Sequence, residues 1–143
     1  MLLVLDSNEY IFGLGISMGS GMREPDCEKL IDILREKYPE YTIRIPRLIV
    51  AEVRKNLSVE IFKEFILFIS ELTKIDEDIV VPFEMAARYE NLGLAPEDAF
   101  IAAYVEWVGA DVLVSENRHF LSRRKGLPFR VLRARELLIM IGL

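Results

Sequence analysis

Residues that build disulfides and zinc centres are scarce in this chain, which has one cysteine and one histidine among 143 residues. The lone thiol of Cys27 excludes an intrachain disulfide and a zinc site built from several cysteines. Since His119 is the single histidine, zinc is also the less favoured metal for the site discussed below. No apolar run approaches the roughly 20 residues that a membrane-spanning helix needs, so we expect no membrane contact.

Several sequence motifs are missing as well. The first residues lack a basic segment and a small-residue cleavage site, so we expect a cytoplasmic protein rather than an exported one. There is no Gly-Lys-Ser/Thr phosphate loop and no Gly-x-Ser-x-Gly nucleophile turn. The chain is 52% hydrophobic, which is ample for one core. A length of 143 residues then predicts a single domain over 1–143.

Short apolar stretches alternate with helical patterns along the chain, and glycines at 13, 15, 19 and 21 indicate a loop after the first helical turns. Such alternation predicts a three-layer α/β sandwich, in which a central parallel sheet is flanked by helices. The predicted strands are 2–5, 41–45, 79–81, 111–115 and 130–132. The predicted helices are 26–38 with Asp26 as its cap, 46–56, 58–72 with Ser58 as its cap, 82–92, 96–109 and 133–141.

Three acidic residues interrupt apolar stretches of the sequence instead of lying on a polar face. Asp6 follows the first predicted strand, Glu52 ends the run 48–51, and Asp98 opens the run 99–103. Taken singly, each is equally well explained as a helix cap or half of an ion pair. A buried carboxylate needs a partner, a proton or a metal, and ligands collect at the carboxyl ends of parallel strands. Together they predict an all-oxygen site for Mg²⁺ or Mn²⁺, which can promote phosphodiester cleavage.

The charge is unevenly distributed. The net charge is −5, yet the segment 118–135 has seven basic residues and no acidic one. Such a segment can contact a phosphate backbone, although an ordinary solvated face explains it equally well on charge alone.

Four motifs carry a resemblance to a known family. They are Leu5-Asp6-Ser7-Asn8, Ala51-Glu52-Val53, the segment from Asp98 to Ala103, and the segment from Gly109 to Phe120. In this order and separation they resemble a PIN domain over nearly the whole chain. The resemblance implies a metal-dependent nuclease, often one that acts on single-stranded RNA. Small members of the family include VapC-type toxins, which a cognate antitoxin holds inactive.

The resemblance also implies roles for individual residues. Asp6, Glu52 and Asp98 are expected to bind or position the metal. A fourth acid of the family lies in a Thr-x-Asp pattern, which here reads Ser115-Glu116-Asn117. Asn117 therefore stands at the catalytic position, and Glu116 is the alternative fourth metal ligand. The expected contacts to nucleic acid are Ser7, Ser115, Arg118, Arg123, Arg124 and Lys125.

Two functions from different classes follow. The first is a Mg²⁺- or Mn²⁺-dependent endoribonuclease acting on single-stranded RNA, as the toxin of a toxin–antitoxin pair. The alternative, motivated by Asn117, is a catalytically impaired PIN-fold domain that binds RNA or a protein partner. The apolar residues between Ile61 and Ile69 cover more than one face of their predicted helix. We therefore expect a second contact there, either in a homodimer or with an antitoxin.

Overall fold

The computed structural model describes residues 1–14, 24–76 and 81–143, and five parallel strands in these residues form one sheet. Along the chain the strands are β1 (Leu2–Leu5), β2 (Thr42–Pro46), β3 (Thr73–Asp76), β4 (Val112–Val114) and β5 (Arg130–Leu132). Their spatial order is β3-β2-β1-β4-β5. The chain moves outward from β1 through β2 to β3, then returns to lay β4 against the other side of β1.

Eight helices in the described residues flank the sheet. They are α1 (Ser7–Leu14), α2 (Pro25–Glu36), α3 (Arg47–Asn56), α4 (Val59–Leu72), α5 (Phe83–Asn91), α6 (Pro96–Trp107), α7 (Arg118–Leu121) and α8 (Ala134–Met140). Helix α1 packs against α2, α3 and α4, and α2 packs against α8, whereas α5 and α6 pack against each other. The predicted α/β sandwich with a central parallel sheet is confirmed.

The two central strands explain why the sheet forms where it does. In β1, Leu3 to Leu5 are fully buried, and all three residues of β4 are buried as well. A strand that is covered on both faces has a continuous apolar sequence, and β1 and β4 both show this pattern. Leu3 pairs with Val112 and Leu5 with Val114, so the two strands end side by side. The direction of strand addition reverses between β1 and β4, and such a switch point is where ligands bind in open parallel sheets.

Most predicted boundaries agree with the structure, and local chemistry explains them. The hydroxyl of Ser58 accepts a hydrogen bond from the backbone N–H of Ile61, as expected of a helix cap. Gly93 ends the α5 segment with a φ of 100°, a conformation that other residues rarely adopt. The predicted cap at Asp26 is wrong, because α2 begins at Pro25 and Asp26 lies inside its first turn.

Two other predictions differ from the structure. Of the predicted strand 79–81, residues 79 and 80 lie outside the described residues, and Val81 is not in a strand. The third strand is instead β3, immediately after α4. Gly13 lies within α1 and not in a loop, while glycines 15, 19 and 21 lie outside the described residues.

The apolar residues of α4 mostly serve the core. Ile61, Phe65, Phe68 and Ile69 are buried, and the side chains between them pack partly against the same core. Contact with a second subunit through this helix therefore remains a prediction. Among the described residues, no helix has the length and apolar character to cross a membrane.

Candidate metal centre

Asp6 lies where β1 and β4 end together. Its backbone N–H donates to the carbonyl of Val114 at 2.9 Å, which extends the pairing of the two strands by one residue. Its side chain is only 5% exposed, and both carboxylate oxygens accept hydrogen bonds. Ser115 Oγ donates to Oδ2 at 2.7 Å and the N–H of Ser7 donates to Oδ1 at 2.8 Å. The sheet edge therefore fixes the orientation of this carboxylate.

Two helices bring the other predicted acids to the same place. Glu52 on α3 accepts a hydrogen bond from Ser7 Oγ at 2.9 Å, so Ser7 bridges it to Asp6. Asp98 lies in the first turn of α6. The negative charges of Asp98 and Glu52 both raise the pKa of Asp6. The structure thus brings together the three acids that the sequence predicted, and we call them the open group because Glu52 and Asp98 are only partly buried.

Burial is the main cause that raises the pKa of Asp6 to about 6, and the hydrogen bonds from Ser115 and Ser7 oppose it. The pKa of Asp98 is also raised, again mainly by burial. Neighbouring carboxylates that repel one another are stabilised in their ionised form by a cation. An all-carboxylate set of oxygens fits a hard cation such as Mg²⁺ or Mn²⁺, so the donors of the open group suit the metal that the sequence predicted.

Asn117 stands beside Asp98 but its amide oxygen is already engaged. The oxygen accepts a hydrogen bond from the N–H of His119 at 2.9 Å and thereby caps α7. The Asn117 side chain also hydrogen-bonds Asp98 and opposes the rise in its pKa. Its own N–H donates to Ser115 Oγ at 3.0 Å. Asn117 is therefore placed to hold Asp98 and Ser115 in position.

Glu116 turns away from the open group. Its ligand oxygen lies with those of Glu9 and Cys27, and the three ligand atoms are all within 4.8 Å of one another. The N–H of Ala134 donates to Glu116 Oε2 at 3.0 Å. We call Glu9, Cys27 and Glu116 the closed group. The sequence prediction placed Glu116 near Asp6 and missed Glu9. The one signal for Glu9 was its position directly before the apolar run 10–12.

A further buried acid, Asp76 at the end of β3, was also missed. Arg44 on the neighbouring strand donates two hydrogen bonds of 2.8 Å to it, and the hydroxyl of Tyr104 donates a third. These partners give Asp76 the role of a buried ion pair between β2 and β3.

The basic segment begins at the open group, but its residues differ in availability. Arg124 forms two hydrogen bonds of 2.8 Å with Glu136, which lowers the pKa of that carboxyl to about 2. Arg123 donates to the backbone carbonyls of Leu92 and His119, and its charge also opposes the rise in the pKa of Asp98. The side chains of the other two predicted contacts, Arg118 and Lys125, are exposed.

The sheet order, the helical layers and the acids at the switch point define a PIN-like α/β sandwich. Its fold is similar to that of a chain in the structure of VapBC2 from Rickettsia felis bound to a DNA fragment from their promoter. The TM-score is 0.63 and the identity is 19%, over 93% of this chain and 98% of that chain. A chain of VapBC-1 from nontypeable Haemophilus influenzae gives a TM-score of 0.60 and 16% identity, over 94% of this chain and 99% of that chain. At these identities the likeness establishes the fold alone. No protein-family model and no curated protein matches the sequence.

Proposed function

We propose that this protein is a metal-dependent endoribonuclease that hydrolyses phosphodiester bonds of single-stranded RNA. The observation that carries the proposal is the open group. Asp6 is held at the switch point of the sheet, and Glu52 and Asp98 are close enough to raise its pKa. Such a set of acids beside the carboxyl end of a parallel strand suits a divalent metal that promotes phosphodiester cleavage.

In this proposal Asp6, Glu52 and Asp98 hold Mg²⁺ or Mn²⁺. The bound ion would supply Lewis acidity and activate water for attack on the phosphodiester. The remaining residues act as positioning groups. Ser115 and Ser7 fix both oxygens of Asp6, and the Ser7 hydroxyl fixes Glu52. These contacts orient the carboxylates before substrate binds.

We extend the proposal to a toxin that works in the cytoplasm with an antitoxin partner. The support is the sequence resemblance to VapC-type toxins together with a fold shared with chains of two VapBC structures. A homodimer is part of the same proposal. Val59 and Leu67 on α4 are the apolar residues of that helix that remain exposed for such a contact.

The proposal is tested by neutralising the acids one at a time. Asp6→Asn and Asp98→Asn should each lower Mn²⁺-dependent RNA cleavage by at least about 100-fold, since even the partners of metal ligands are worth 10- to 100-fold. Asp32→Asn, an exposed change on α2, is the matched control and should cleave like the wild type. Full cleavage by both site variants would refute the assignment.

One observation favours the second candidate, a catalytically impaired domain that binds RNA or a protein. The amide of Asn117 carries no charge and its oxygen already caps α7, so the fourth position of the site lacks the negative charge of an acid. Calorimetry with Mn²⁺ separates the candidates. Absence of both binding at millimolar Mn²⁺ and cleavage would favour the impaired domain.

RNA contact is tested on the basic segment. Arg118→Ala and Lys125→Ala should weaken RNA binding and reduce its salt dependence by about one phosphate contact each. Arg124→Ala should change RNA binding less, because its guanidinium is paired with Glu136. The measurement is affinity for a single-stranded RNA at several salt concentrations. Equal losses in all three variants would mean that Arg124 leaves Glu136 to bind RNA.

A further inference from the structure

The closed group brings three ligand types from three parts of the fold to one point. Glu9 lies on α1, Cys27 lies on α2 and Glu116 lies in the loop between β4 and α7. Glu9 is 0% exposed and Cys27 is 1% exposed. The ligand atoms of all three residues lie within 4.8 Å of one another, which is close enough to share one ion. The group shares no ligand with Asp6, Glu52 and Asp98. The hydrogen bonds of those acids run through Ser7, Ser115 and Asn117.

A second observation points to a missing ligand. Cys27 Sγ donates to Glu9 Oε2 at 3.1 Å, but the other oxygen, Oε1, is fully buried and receives no hydrogen bond from the described residues. The adjacent carboxyl group of Glu116 brings no N–H; after burial, it raises the pKa of Glu9 because a protonated Glu9 can hydrogen-bond to it, and also through its negative charge. A buried carboxylate oxygen without a donor is destabilising, and two adjacent carboxyl groups need either a proton or a cation between them.

We propose that Glu9, Cys27 and Glu116 form a second metal site, which binds a divalent cation of the zinc class. A thiolate is a poor ligand for Mg²⁺ and a good one for Zn²⁺, while carboxylate oxygens serve both. Three protein ligands leave one position of a tetrahedral site for water or a further group. Several cysteines or histidines are the usual sequence signal for zinc, and one thiolate with two carboxylates does not produce it.

The role of this site is structural. The ion ties α1 and α2 to the loop that also carries Ser115 and Asn117, two residues that position the open group. Through the hydrogen bond from Ala134 to Glu116, it also reaches the start of α8. The proposal does not depend on RNA cleavage, because the site would bind its ion whether or not the open group is catalytic.

Cobalt is the probe, because Co²⁺ occupies zinc sites and a cobalt–thiolate bond absorbs in the near ultraviolet. The full chain is stripped with chelator and titrated with Co²⁺. We expect one equivalent to produce the thiolate band and Zn²⁺ to displace it. Since Cys27 is the single cysteine of the chain, this band can arise from Cys27 alone. Glu9→Gln should weaken Co²⁺ binding at least tenfold. Asp6→Asn removes no ligand of the closed group and should keep the band.

The melting temperature provides the second readout. Zn²⁺ should raise it in the wild type and in Asp6→Asn, and should raise it less in Cys27→Ser, where the open group remains but the closed group has lost its thiolate. No thiolate band in the wild type would overturn the proposal and assign a shared proton to the closed group. Loss of the band in Asp6→Asn, with the fold intact by circular dichroism, would overturn it too, because Cys27 would then bind cobalt together with Asp6 and not with Glu9 and Glu116. If Cys27→Ser does not fold, the wild-type band alone decides.

Discussion

The open and closed groups each take one acid from the first residues of the chain, Asp6 and Glu9, yet these two carboxylates have different hydrogen-bond partners. Asp6 and Glu9 are three residues apart, at the end of β1 and on α1, and both are buried. Each oxygen of Asp6 accepts a hydrogen bond from an O–H or N–H group. Glu9 accepts one from a thiol, and its second oxygen receives none from the residues described.

This difference in hydrogen bonding has a counterpart in the pKa values of Asp6 and Glu9. Burial raises the pKa of both, but the donors around Asp6 hold its pKa to about 6, whereas the pKa of Glu9 is raised well above its ordinary value. Asp6 is therefore largely ionised at neutral pH, as a metal-binding acid must be. Glu9 holds its proton to a higher pH than a free carboxyl group does, unless a cation replaces that proton. Hydrogen-bond donors, and not burial alone, decide which acid is ready to act.

The largest expected effect is on the pH dependence of stability, measured in chelator. Between pH 3.8 and about 6 the folded state holds a proton on Asp6 that the unfolded state has released, so the free energy of unfolding falls as pH rises. This loss should reach about 3 kcal/mol, since one pKa unit is worth about 1.4 kcal/mol. Asp6→Asn should remove it. Denaturant unfolding from pH 4 to pH 8 gives the measurement.

Glu9→Gln distinguishes the closed group in the same experiment. Burial and the carboxyl group of Glu116 raise the pKa of Glu9 well above its ordinary value of 4.5, so its folded-state proton also makes the free energy of unfolding fall as the pH rises above that value. Glu9→Gln should remove one part of this fall, and Asp6→Asn another. An Asp6→Asn profile with the full wild-type slope between pH 4 and pH 6 would contradict this division.

The sequence predicts the open group because its members occupy positions with a simple pattern. Asp6 follows an apolar strand, and Asp98 opens an apolar helix. The central strands are equally easy to predict from the sequence, since β1 and β4 are continuous apolar runs. Strand β3 was missed because its sequence, Thr-Lys-Ile-Asp, contains one apolar residue. The Ile-Val-Val stretch at 79–81 has a stronger strand composition and misled the prediction.

The closed group was not predictable for a different reason. Whether Glu9 faces the core depends on how α1 packs on α2, and adjacent sequence does not report that packing. The backbone of the loop after β4 decides that Ser115 faces Asp6 while Glu116 faces Glu9. The pairing of Arg124 with Glu136 likewise depends on where α8 docks. Each of these is a tertiary contact between segments that are distant in sequence.

A smaller effect, on the pKa of Asp6, is expected when one hydrogen-bond donor of the open group is removed. Ser115→Ala deletes the hydroxyl that donates to Asp6 Oδ2. Because a hydrogen bond to a charged group is worth about 1.5–3 kcal/mol, the pKa of Asp6 should rise by about 1–2 units from about 6. Carboxyl NMR titration in chelator measures it. Ser115→Thr keeps the hydroxyl and is the control. An unchanged titration of Asp6 in Ser115→Ala would assign its acidity to Ser7 alone.

The smallest effect is expected where α1 meets α2. A Cβ on Gly13 would lie 2.8 Å from Ile31 Cγ1 and 3.1 Å from the carbonyl oxygen of Cys27. Gly13→Ala should therefore push α2 away, at an overpacking cost of about 1–3 kcal/mol. The higher helix propensity of alanine offsets about 1 kcal/mol of this cost. We expect a net loss of about 1 kcal/mol in chemical denaturation.

Gly13→Ala should also affect the closed and open groups differently, because Cys27 moves with α2 while Asp6 is held by the sheet. Co²⁺ binding at the closed group should weaken, and the pKa of Asp6 should stay at about 6. Ala51→Gly, on an exposed position of α3, measures the propensity difference without the contact. If Gly13→Ala stabilises the protein by as much as Ala51→Gly destabilises it, the added Cβ meets no steric resistance between α1 and α2. The close approach of these two helices then does not hold the closed group in place.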